Sequence, residues 1–351
     1  MEDYLWAVAA DTDFTPRAPR FLIARFSALG DVVLMQPVVT ALRATYGDAA
    51  VMDLVCLTRS LPAAEVLSGL DQVHVVERGT GEVTAALKER NYDYLLDLHG
   101  TVRSRSLART LDVLTLSVDK QAWNRWTLIR GWRKEGVIPF VERCLDVLKP
   151  FGVVQPNAHV LGAEAWGALE LPARPELPSS YVAVALGSSH PGKHLSDAVI
   201  DAAIHAAQAQ GRKAVLVGGE AEQARASNVL ARHPEALSHV GEWTLGETAA
   251  ALAGADAVVT GDTVTLHLAA ALGKPVAAVW GCTRPSLGLA AWRPNPQSLD
   301  VLPSRDNRTR PCSKHGATCR HTRSSDPFDP DRCSQHVDPR EVGDWLKNLL
   351  T

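Results

Sequence analysis

No apolar run in the 351 residues is long enough to cross a membrane as a helix. Neither charge sign is in excess: 36 Lys and Arg stand against 39 Asp and Glu, for a net charge of −3. The total therefore gives no argument for a nucleic-acid partner, and no reading-helix motif is present. Cysteine is scarce, with six thiols at 56, 144, 282, 312, 319 and 333. That is too sparse and too uneven for a disulfide framework in a chain this long. The opening MEDYLWAVAADTDFTPRAPR is acidic where an export signal is basic, so a cytoplasmic location is the expectation. No short repeat is detectable. What remains, 46% apolar and 21% charged, is an ordinary globular composition, and the length suits two domains.

Order along the chain supports that division. After an extension (1–19), short apolar runs at 21–26, 51–57, 73–76, 94–98 and 111–116 alternate with helical stretches, among them Val32 to Tyr46 with Pro37 inside it. Such alternation predicts a doubly wound parallel sheet over 20–155. A proline-rich linker (156–180) follows. The alternation then restarts at Tyr181 and fills a second α/β domain (181–337), closed by an amphipathic helix (338–351). Ligands of such sheets bind at the carboxyl ends of strands, so the cleft between the domains is the expected site.

The chemistry-bearing residues fall in the loops that follow strands. VVTGDTVTLHLAAALGKPVAAVWG (258–281) reads as strand, turn, helix and strand. Asp262 and Thr263 at its turn can cap the helix, or can leave its N–H groups to a phosphate and themselves hold a hydroxyl-rich ligand. Asp31, in SALGD after the first strand, is either a helix N-terminal residue favoured by the dipole or a general base facing the cleft. Ser188, Ser189 and Lys193 in GSSHPGKH are either a solvated loop or a diphosphate site. Arg103, Arg105, Arg125 and Arg130 concentrate positive charge in the first domain, as a solvated face or as a seat for an anionic acceptor. Cys312, His315, Cys319 and Cys333 are spaced C-x2-H-x3-C-x13-C, which can close a tetrahedral structural zinc site; unpaired thiols or an incidental disulfide are the alternatives.

Together these motifs carry a resemblance. FLIARFSALGDVVLMQPVVTALRATY, YDYLLDLHGTVRSRSLAR and GDTVTLHLAAALGKPVAAVWG, in that order, resemble the signatures of the bacterial heptosyltransferase family, glycosyltransferase family nine. PCSKHGATC and CSQHVDPREV are similar to its cysteine-bearing tail. The resemblance implies a GT-B architecture: two Rossmann-like parallel-sheet domains facing a central cleft, the first for acceptor and the second for donor, with the last helix crossing back to the first domain. It implies inverting transfer without a catalytic metal or cofactor, from ADP-heptose to lipopolysaccharide inner core, an anionic glycolipid at the inner membrane surface. Asp31 becomes the base, and Lys193 with the helix start near Thr263 stabilises departing ADP. Ser27, Gly30, Ser188, Ser189, Glu220, Trp243, Asp262, Thr263 and His267 line the donor. Transfer to a protein or another glycan, another nucleotide sugar, and a catalytically silent homologue are the competing expectations. Val264 stands where the family usually has glycine.

Overall fold

The computed structural model describes residues 17–153, 159–305 and 309–351. The first apolar runs become β1 (Arg20–Ala24), β2 (Val51–Leu57), β3 (Gln72–Val76), β4 (Tyr94–Asp97) and β5 (Leu114–Ser117). They form one parallel sheet in the order β3-β2-β1-β4-β5. The second set is β6 (Tyr181–Ala185), β7 (Lys213–Val217), β8 (Leu237–Ser238), β9 (Ala257–Gly261), β10 (Val276–Val279) and β11 (Leu299–Val301). These also pair in parallel, in the order β11-β10-β9-β6-β7-β8. The strand order reverses between β1 and β4 and again between β6 and β9. Each reversal opens a crevice at the strands' carboxyl ends.

Burial follows the two-residue period of a strand covered on both faces. Phe21 and Ile23 enter one apolar cluster, whereas Leu22 and Ala24 enter another on the opposite face. The first of these clusters runs through both lobes, joining Val32, Val33 and Met35 to Leu266 and Leu268. The Leu29–Val33 helix thus packs directly on the Val264–Ala271 helix. The crossing segment is also pinned on both sides. Fully buried Trp166 donates from Nε1 to Trp292 O (2.8 Å), and its own carbonyl accepts from Thr40 Oγ1 (2.9 Å).

Four expectations change. The 32–46 helix is two helices, Leu29–Val33 and Gln36–Tyr46, because Pro37 has no N–H to continue the first and suits the opening turn of the second. The strands β8 and β11 are too short for an apolar pattern to reveal them. Pro156 of the linker lies outside the described residues, yet the part that follows includes the buried anchor Trp166. Finally, the Pro339–Leu350 helix does not cross back. Its stripe of Val342, Leu346 and Leu350 packs against the Asp197–Ala209 helix of the second lobe, where Val199, Ala203 and Ala206 offer a low-relief apolar face.

Candidate active site

At the first reversal point, Arg25 follows the end of β1, and the chain turns through Ser27 and Ala28 into the short helix bearing Asp31. Gly30 makes the approach to the second lobe possible: a Cβ there would lie 2.9 Å from His267 Cδ2. Asp31, the next residue, interacts electrostatically with His267 across that contact. Its Oδ2 is paired with the Arg25 guanidinium and lies 3.5 Å from the Ala28 N–H. About a third of its side chain (32%) stays exposed to the cleft.

Arg25 is itself buried, donating to Leu98 O (2.7 Å) and stacked 4.7 Å over the Phe140 ring. Burial alone would raise the Asp31 pKa. The charges of Arg25 and His267 and the Ala28 N–H outweigh it, so the carboxyl sits below its ordinary value. A base of this kind is ionised throughout the neutral range. Replacing Arg25 with Gln removes the largest opposing influence and leaves burial dominant, so the Asp31 pKa should rise. The acid limb of kcat/KM is then expected to move to higher pH than in the unsubstituted protein; a pH profile of the Arg25→Gln variant checks this.

Other cations surround the same carboxylate. Lys120 donates to His99 O (3.0 Å) and Gly100 O (3.3 Å), and burial together with Arg25 and Arg125 lowers its pKa. Arg125, half-buried, is lowered by burial and raised by Asp31. Lys314, from the tail, is lowered by burial, Arg125 and Lys120 and raised by Asp31. Half-buried His99 is held down to about 4 by desolvation, Arg25 and Lys120, and so is neutral. Of the four arginines expected to meet the acceptor, only Arg125 joins this group. Arg103 lies 5.6 Å over the Phe26 ring, Arg105 is exposed, and exposed Arg130 lies 5.5 Å over the Trp126 ring. Arg25, Lys120 and Lys314 were not singled out in the sequence. Arg25 had a signal, a charge inside an apolar run (21–26) that required a partner.

On the second lobe, Lys193 Nζ pairs with Asp262 Oδ2 at 2.7 Å, their side chains 16% and 5% exposed. Asp262 therefore does not cap the Val264–Ala271 helix. Thr263 sits at the N-cap with no side-chain cap bond, its Oγ1 lying 3.1 Å from Thr260 Oγ1. The capping alternative is thereby removed, and the helix start is left for a ligand. His267, buried one turn on, is held below the usual histidine pKa by desolvation although Asp262 and Asp31 oppose the shift. Its Nδ1 has no hydrogen-bond partner among the described residues.

Ser188 Oγ closes its own turn on His190 O (2.9 Å), while Ser189 is exposed. Glu220 is exposed in its turn, and Glu222 is the acid that binds the Gly219 N–H (2.9 Å). Trp243 is half-buried, one face covered by the His239 ring at 4.1 Å and 9°. The cysteine string is corrected. Cys282, Cys312, Cys319 and Cys333 come together, whereas His315 is exposed with its ring 6.3 Å from that of His190. Cys282 follows β10, and the sheet edge carries it to the tail.

Two parallel α/β lobes with a carboxylate and cations meeting at their strand ends define a GT-B-type glycosyltransferase. The chain belongs to glycosyltransferase family 9 (heptosyltransferase), whose model matches residues 81–321. Among solved structures it is similar to a family 9 glycosyltransferase from Veillonella parvula DSM 2008, with 17% identity over 95% of this chain and 97% of that one and a TM-score of 0.70. It is also similar to Escherichia coli ADP-heptose LPS heptosyltransferase II (18% identity, 94% and 98% covered, TM-score 0.67). A third is Escherichia coli heptosyltransferase WaaC with ADP (23% identity, 76% and 88% covered, TM-score 0.58). Comparison with curated proteins gives no match. No helix among the described residues is long and apolar enough to cross a membrane.

Proposed function

We propose that this glycosyltransferase moves heptose from ADP-heptose to a hydroxyl of an anionic inner-core glycolipid of lipopolysaccharide, with inversion. The observation that carries the reading is Asp31, a carboxylate ionised at neutral pH, placed beside the close approach of Gly30 to His267 of the second lobe and among the charges of Arg25, Lys120 and Arg125. The cations suit acidic groups of the acceptor, leaving Asp31 Oδ1 to take the proton from the attacking hydroxyl. As the anomeric C–O bond to phosphate breaks, charge develops on ADP. The N–H groups at the helix start after Thr263 meet that charge, joined by Lys193 as its ammonium turns from Asp262 to the diphosphate. Ser27, Gly30 and Ser188 are proposed to line the donor, and His267 Nδ1, which has no hydrogen-bond partner among the described residues, suits a sugar hydroxyl. Trp243, half-buried beside His239, is the indole proposed to contact the nucleobase. The ADP complex of WaaC and the similarity to the ADP-heptose enzyme heptosyltransferase II support the donor assignment.

The test is donor-dependent transfer on defined acceptors, without added Mg2+. ADP-heptose is expected to turn over on acidic inner-core glycolipid and not on a neutral glycan. Turnover confined to another nucleotide sugar, or to a protein acceptor, defeats this assignment; ADP binding with no turnover on any acceptor would mark a silent homologue.

The acceptor's membrane would be met by an aromatic patch on the Ala122–Arg130 helix and the turn that follows it. Trp123 and Trp132 are 69% and 70% exposed; Trp126 stacks with the first at 5.0 Å and edge-on with the second at 4.8 Å, beside Arg130, Arg133 and Lys134. Indoles with basic neighbours suit an anionic lipid interface. A Trp123→Ala/Trp132→Ala variant is expected to lose roughly tenfold or more in affinity for anionic vesicles. Its turnover of a short water-soluble acceptor should hold. Equal losses on both acceptors would rule the patch out as a membrane contact.

A further inference from the structure

The four clustered thiols are not used by the transfer chemistry. Their sulfurs all lie within 4.8 Å of one another, with Cys312 Sγ 3.4 Å and Cys319 Sγ 3.7 Å from Cys333 Sγ. Four sulfurs bound tetrahedrally at about 2.3 Å to one ion are separated by roughly 3.8 Å. The cluster has that size. It also joins segments far apart in the chain: Cys282 follows β10, Cys312 and Cys319 lie in an irregular tail loop, and Cys333 opens a single turn.

The same segments run beneath Lys193. Cys312 N–H donates to Cys282 O (2.8 Å), Cys282 N–H to Gly192 O (2.6 Å), and Gly192 N–H to Gly316 O (2.9 Å). Gly316, midway between two of the cysteines, has φ +80°, and a Cβ on it would lie 2.8 Å from Lys193 Cγ. A Cβ on Gly192 would meet Cys282 Sγ at 2.6 Å, so the thiol and lysine loops touch backbone to backbone.

We propose that Cys282, Cys312, Cys319 and Cys333 bind one thiophilic divalent transition metal, zinc or iron, and that this clasp positions Lys193 toward the donor diphosphate. The ion takes no part in bond making; binding it displaces protons from the thiols, and four thiolates complete its shell. Lys193 is the group that touches substrate, and the clasp acts through it. The second half of the proposal rests on reading Lys193 as the diphosphate cation.

The test begins with full-length protein prepared anaerobically from medium containing both metals. Elemental analysis is expected to give about one zinc or iron per chain, which also decides between them. Exchange into Co2+ should produce the spectrum of a tetrahedral tetrathiolate site. Cys319→Ala should lose the metal and weaken ADP binding by roughly tenfold in titration calorimetry, the scale of one charge-assisted contact. Cys319→His, which keeps a ligand, should restore both. Substoichiometric metal with all four thiols freely reactive, or a disulfide among them, overturns the site. Metal loss in a folded Cys319→Ala protein with unaltered ADP affinity overturns the positioning role. Lys193→Ala in the metal-loaded protein separates the two readings: if it leaves ADP affinity intact, the assignment of Lys193 has failed while the metal count still stands.

Discussion

Asp31→Asn is expected to lower kcat by roughly 10²–10⁴-fold, the usual contribution of a positioned general base. ADP affinity should change little. The amide keeps the size and shape of the carboxylate but cannot take a proton from the acceptor hydroxyl. It also leaves Arg25, buried and held over Phe140, without its counter-charge, so some loss of stability is expected alongside. The two effects separate by measurement. A thermal melt reports the first-lobe cost, and single-turnover transfer at saturating donor and acceptor reports the chemistry. Arg25→Gln/Asp31→Asn removes the stranded charge and should recover stability without recovering turnover. Normal turnover by Asp31→Asn would refute its role as the base.

Why Asp31 could be read from sequence, and its surroundings could not, follows from how each is encoded. A loop after a strand announces itself locally: SALGD, GSSHPGKH and GDT each interrupt an apolar run, and a parallel sheet puts all such loops at one edge. Position at that edge was therefore legible for Asp31, Lys193 and Thr263. Contacts made across the sheet were not. Arg25 stands in the apolar run FLIARF with no acid inside that run to pair it, although its guanidinium is the largest influence lowering the Asp31 pKa. Lys314 reaches Asp31 from a tail nearly three hundred residues downstream in the chain.

The cysteines make the same point from the other side. Spacing chose His315, which was close in sequence, over Cys282, which the register of β10 against β9 and β11 delivers instead. Helix boundaries failed where two rules competed, as at Pro37, and the final helix failed because an apolar stripe states that a face is buried without stating against what. The capping question at Asp262 was open for a similar reason. Carboxylate and hydroxyl side chains cap helices and bind ligands with the same atoms, and only the partner in space, here Lys193, distinguishes the uses.

That pairing sets the second large effect. Lys193→Ala is expected to lower kcat/KM for the donor by roughly 10²–10³-fold, comparable to removing one preorganised donor from a developing oxyanion. The difficulty is that Lys193 already has a partner. Its loss strands Asp262, whose side chain is only 5% exposed, and an uncompensated buried carboxylate can distort the helix start that follows. A fall in activity could then arise from Asp262 alone. The Lys193→Ala/Asp262→Asn pair discriminates between them, since the amide needs no counter-charge. If Lys193 serves only to satisfy Asp262, the double variant should return near to the activity of Asp262→Asn alone. If the ammonium leaves Asp262 for the departing diphosphate, the double variant should remain as depressed as Lys193→Ala, with stability restored and turnover not. Donor analogues carrying a better leaving group should narrow the deficit in that second case, because less charge then needs stabilising as the bond breaks. Failure of the better leaving group to narrow it would place Lys193 in ground-state binding rather than in the departure of ADP.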